Sequence, residues 1–168
     1  MLRLTAVLAA ALVAGAVWAG TDPSTEAARG VRPALDHICA RGPAEARDPT
    51  FVRRMSTQYG FAAEGGGFTR AGDDGRLTVT PTGRGCVLRL QGEAAMVADA
   101  DAALIAFARR KGLTAQVTDV KTAGEEGRRI ERERAARGRG GLTWTVFDDF
   151  NGRDRPSTLE GVWHRHAR

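Results

Sequence analysis

His164-Arg165-His166 sets two imidazoles two residues apart near the C-terminus. On a strand, such positions project to the same side, and imidazole is a common metal ligand, so the pair has the chemistry of half a metal site. Asp148, Asp149 or His37 are the residues that would complete it, and a metal-assisted hydrolase using His164, His166 and Asp148 or Asp149 is the catalytic alternative they support. A terminal His-x-His is more often an ordinary exposed stretch, and no motif in the chain calls for a cofactor.

Other candidate chemistry is weaker. The three serines, Ser24, Ser56 and Ser157, lie outside any Gly-x-Ser-x-Gly setting. Gly65-Gly66-Gly67 lacks the lysine and following hydroxyl of a phosphate loop. Asp99 and Asp101, two apart on a predicted helix, point to different sides and make no carboxylate pair. Asp73-Asp74 reads as turn chemistry.

Glu125 to Arg139 holds six arginines and four glutamates, a net charge of only +2. Glu125 with Arg129, Arg129 with Glu133 and Glu133 with Arg137 are four apart, so the charges can pair along one solvated helix. Ile130 is its one large apolar residue, which leaves little to bury and allows partial disorder. Residues 125–141 are therefore expected as a charged surface segment. An alternative is contact with an anionic envelope surface through Arg128, Arg129 and Arg132. Nucleic-acid binding is disfavoured, because phosphate affinity needs an unneutralised basic field. The chain has 25 Lys and Arg against 20 Asp and Glu, and 23 of the 25 are arginine beside 29 alanines and 21 glycines. All three residue types have GC-rich codons, so a GC-rich genome produces the same excess without any ligand.

Cys39 and Cys86 are the only cysteines, which points to one intramolecular disulfide pinning a helix against a strand. There is no Cys-x-x-Cys of a redox enzyme. The N-terminus sets the compartment that this pairing needs. Met1-Leu2-Arg3 is a short cationic start, Leu4 to Val17 is uncharged, and Val17 and Ala19 are small residues at the minus-three and minus-one positions of a cleavage site. Residues 1–19 thus read as a secretory signal peptide cleaved after Ala19, shorter than the roughly 20 apolar residues of a membrane span. No transmembrane segment is expected in the mature chain, and its address would be the periplasm or the exterior.

The elements that must position these residues follow from periodicity and punctuation. Residues 20–32 read as a flexible leader, with order beginning near Pro33 and a single domain over 33–168. Leu35, Ile38 and Cys39 form one stripe of a short helix that ends at Gly42-Pro43. Asp48-Pro49 opens a second, carrying Phe51, Val52, Met55 and Tyr59 to Gly60. Phe68 to Ala71, Arg76 to Thr80 and Cys86 to Gln91 give three strands of a meander, with Cys86, Leu88 and Leu90 inward. Val97, Ala100, Leu104 and Phe107 mark the buried face of a helix over 93–111. Leu113, Ala115 and Val117 alternate as a strand, and Leu142 to Val146 with Leu159 to Trp163 make a closing hairpin. Trp144, Phe147, Phe150 and Trp163 gather there, as core residues or as the lining of a groove.

The expected class is α+β: a mainly antiparallel sheet of about five to six strands with helices packed on it and an N-terminal helical pair, without an internal sequence repeat. The residues point to a binding module for an unknown protein or small-molecule ligand rather than to a catalyst.

Overall fold

The computed structural model describes residues 25–123, 129–138, 140–149 and 157–164, with side chains over 25–114, 135–138, 140–147 and 157–164. The sequence-predicted signal peptide, residues 20–24 of the leader, Arg128, Phe150 and His166 lie outside the described residues.

The first helix starts earlier than proline punctuation suggests. A 3-10 turn, Ala28–Gly30, runs into an α turn, Val31–Pro33, and a π turn, Ala34–Ile38, as one helix, α1. Ala27, Ala28, Val31, Ala34, Leu35 and Ile38 are buried along it, so the second half of the expected leader belongs to the core. Pro33 sits inside the helix rather than at its start. Lacking an N–H, it leaves the turn before it short of a bond, and the backbone widens just after it, where the Cys39 amide reaches back five residues to the Ala34 carbonyl at 2.9 Å. Asp99 holds the entry to α1 by accepting from both the amide and the hydroxyl of Thr25, at 2.9 and 2.8 Å.

Helix α2, Pro49–Tyr59, follows its sequence signals closely. The Asp48 side chain accepts from the Phe51 amide at 2.9 Å, Pro49 occupies the first turn, and Gly60 closes the helix at φ 67°. Phe51 and Met55 are its buried residues. Helix α3, Ala94–Arg110, buries Met96, Val97, Ala100, Leu104, Phe107 and Ala108.

Among the described residues the sheet has eight strands in the order β1-β2-β3-β4-β8-β7-β6-β5, every neighbouring pair antiparallel. They are β1 Ala62–Glu64, β2 Gly67–Gly72, β3 Gly75–Thr82, β4 Gly85–Gly92, β5 Thr114–Ala123, β6 Arg129–Gly138, β7 Gly140–Asp149 and β8 Ser157–His164. Two more strands are present than expected. β1 is a three-residue edge joined to β2 through Gly65-Gly66, whose φ values of 57° and 82° suit the positive-φ hairpin turn that glycine enters without strain. β6 is the charged segment. It pairs along both sides, with β5 and with β7, so it is a strand rather than a solvated helix. Two neighbours supply the backbone partners that its own composition could not.

Both halves of the chain repeat one plan: helix first, then a four-stranded meander. The last strands of the two meanders, β4 and β8, pair to make the seam of the sheet. The topology therefore repeats although the sequence does not. All three helices cover one face. Leu77, Val79, Cys86, Leu88, Leu90, Leu142, Trp144, Val146, Leu159 and Trp163 point into that layer and form one core with the helices. The Cys39–Cys86 disulfide joins the end of α1 to β4 within it, with the Cα atoms 4.9 Å apart.

Candidate binding face

Alternation along each strand sends every second residue to the side of the sheet that the helices leave uncovered. On β4 these are Val87, Arg89 and Gln91, all exposed. On β8 they are Thr158, Glu160, Val162 and His164, on β3 Arg76, Thr78 and Thr80, and on β7 Thr143, Thr145 and Phe147. The register turns these into rows across the strands. One row runs Thr80, Val87, Val162, Thr143, the next Thr78, Arg89, Glu160, Thr145, and the next Arg76, Gln91, Thr158, Phe147. Val87, at 40% exposure, is the exposed large hydrophobic among the described residues, and it pairs directly with Val162. Beside them Arg89 and Glu160 form an ion pair of 3.0 Å, with side chains 65% and 49% exposed. A pair so open to water adds little to stability, ~0–1 kcal/mol, and leaves both groups able to meet a ligand.

The C-terminal aromatics divide between the faces. Trp144 and Trp163 are buried on the helical side, where Phe107 meets Trp163 edge-on at 5.2 Å and the Trp144 indole N–H donates to Asp101 at 2.6 Å. Phe147 stands half-buried on the open side. Asp101 and Asp99 thus serve different partners on different sides of α3, and neither stands with the other as a catalytic pair.

Of the candidate metal ligands, His166 lies outside the described residues, and the described ones stand apart from one another. His164 is exposed on the open face, in register with Gly85 and Gly141. Asp148 lies at the other end of β7, seven positions beyond Gly141, which at ~3.3 Å per residue is about 23 Å away. Antiparallel pairing moves Asp148 and Asp149 apart from His164 because a hairpin brings its near ends together, not a near end to a far one. His37 sits on α1 and shares a hydrogen bond of 3.0 Å with the Tyr59 hydroxyl. Among the described residues no group of three potential ligands comes together.

Arg129 and Arg132 of the charged segment lie three positions apart on β6, in register with Asp149 and Val146 of β7, and Arg128 lies outside the described residues.

A shallow cleft of about 350 Å³ opens on the helical side, lined by Arg41, Glu45, Asp48, Thr50, Phe51 and Arg54. Its charges are framework. Arg41 and Arg54 lie over the Phe51 ring at 4.5 and 5.4 Å, Asp48 caps α2, and Glu45 accepts from the Gly42 amide at 3.2 Å. The open face was not among the sites the residues announced, since alternation only becomes a surface once strand order and register are known. Compared with family models, curated proteins and solved structures, the chain matches none.

Proposed function

We propose that the chain is exported and acts, in the periplasm or outside the cell, as a disulfide-stabilised binding module that docks a protein partner on the open face of its sheet. The observation that carries this reading is the Val87–Val162 pair at the centre of that face. An exposed apolar centre ringed by threonines and by the Arg89–Glu160 pair has the layout of a protein interface, an apolar middle within a polar rim. Export is supported by the pairing of Cys39 with Cys86, which an oxidising compartment maintains. No described helix is long and apolar enough to cross a membrane.

The test expresses the full-length chain in a bacterial host and reads the processed N-terminus and thiol state by mass spectrometry. A photo-crosslinking side chain replaces Val87 on the open face or Ala102 on the exposed side of α3. The expected result is a chain beginning at Gly20, both cysteines oxidised, and protein adducts from position 87 but not from 102. An unprocessed chain with alkylatable thiols overturns export. A position 87 that forms no adduct overturns the binding role.

A further inference from the structure

We infer that the partner on the open face is a second copy of this chain, seated face to face about a two-fold axis that lies along the β4–β8 seam. The inference rests on the reading of that face as the binding surface. It comes from the register. A rotation of this kind keeps each row opposite itself and exchanges the halves of the sheet, so β4 of one copy covers β8 of the other and β3 covers β7.

Three rows can be followed across such an interface with described side chains alone. In the first, Val87 meets the partner's Val162, and Val162 meets the partner's Val87, closing the apolar centre on itself. In the second, Arg89 meets the partner's Glu160 while its own Glu160 meets the partner's Arg89, so that the exposed ion pair becomes an alternating four-charge cluster. In the third, Gln91 meets the partner's Thr158 and the exposed Arg76 covers the partner's half-buried Phe147, a guanidinium over an aromatic ring. None of these three rows, as followed over the described side chains, sets like charge against like. Such self-complementarity is what an isologous interface requires, since the same patch must serve both copies.

The size is also adequate. Eight strands at ~4.8 Å spacing and about eight residues at ~3.3 Å rise make a plane of roughly 900 Å². A standard interface takes about 800 Å² from each partner. Sheets stacked in this manner cross at about 30°, an angle set by the twist of each sheet.

The mature, oxidised protein is tested by sedimentation equilibrium over a wide range of concentration. The expected result is a monomer–dimer equilibrium. Val87→Glu places two carboxylates at the axis and is expected to weaken association by roughly tenfold or more, while circular dichroism stays that of the parent because position 87 is already exposed. Arg89→Glu sets acid against acid and weakens the dimer as well. Adding Glu160→Arg to it restores the alternation and recovers association, an outcome a merely structural defect would not give. Ala102→Glu on the helical side leaves the equilibrium unchanged. A wild-type chain that remains monomeric throughout, or a dimer indifferent to Val87→Glu, overturns the inference. A monomer that still forms adducts with another protein through position 87 overturns the dimer alone and leaves the binding role intact, whereas a monomer without adducts overturns both.

Discussion

Reducing the Cys39–Cys86 bond, without changing a residue, should cost this fold about 4 kcal/mol. The bond closes a loop with a sequence separation of 47, and the chain-entropy relation for that length gives ~4 kcal/mol of stabilisation through the unfolded state. Both cysteines are fully buried, so alanine substitution would add cavity costs of its own, and reduction of the native protein isolates the cross-link. For a chain of this size each kcal/mol moves the thermal midpoint by ~2–4 °C, so a phosphine reductant should lower it by about 8–16 °C. The assay is thermal unfolding followed by circular dichroism with and without reductant, with thiol counting by mass spectrometry to confirm complete reduction. Because the effect lies in the unfolded chain, the urea m-value should rise on reduction as that chain expands. A fully reduced protein melting within ~3 °C of the oxidised one would refute the reasoning, since it would mean that the remaining contacts of α1 already hold the loop closed in the unfolded ensemble.

Further outcomes follow from individual contacts. Asp101→Ala should destabilise by ~1–3 kcal/mol in urea unfolding, because it strands the indole N–H of buried Trp144, and Trp144→Phe in the same background should remove most of that penalty. Asp48→Ala, which uncaps α2, should cost about 1 kcal/mol in the same measurement. Gly85→Ala should cost ~3 kcal/mol or prevent folding, since a Cβ there overlaps the Trp163 carbonyl oxygen across the β4–β8 seam, whereas alanine at Gly83, where a Cβ meets nothing, should be within ~0.5 kcal/mol of the parent. Leu104→Ala, at a fully buried site of α3, should cost ~2–5 kcal/mol by calorimetry.

Where the sequence was legible, local chemistry and tertiary structure agreed. Asp48-Pro49 and Gly60 bound α2 because capping is satisfied within a few residues, and the inward set Cys86, Leu88, Leu90 follows from alternation alone. α3 and the disulfide were legible for the same reason. The helix start was misplaced because Pro33 has two uses, to begin a helix or to loosen one from within. The apolar spacing of Ala28, Val31, Leu35 and Ile38 was the signal for the second. β6 was hidden by degeneracy: Glu and Arg four apart suit a helix, yet the same residues also alternate along a strand, and only pairing with β5 and β7 decides. The separation of His164 from Asp148 and Asp149 was likewise invisible, because a hairpin's register depends on where its loop begins and ends.

The strand that completes the sheet at its middle, β8, is the last of the eight along the chain. A chain made in order from its N-terminus would have to hold two part-sheets, each with a raw edge, until this segment arrives to weld them. Its pairing with β4 joins residues 65 to 79 positions apart, from Gly92 with Ser157 to Gly85 with His164, the kind of long-range closure that makes folding slow and leaves unpaired edges open to other chains. Thiol pairing between Cys39 and Cys86 can form before that moment, because both sulfurs belong to the first half. The bond would then act as an early clamp, holding one half ready while the rest of the polypeptide has yet to fold.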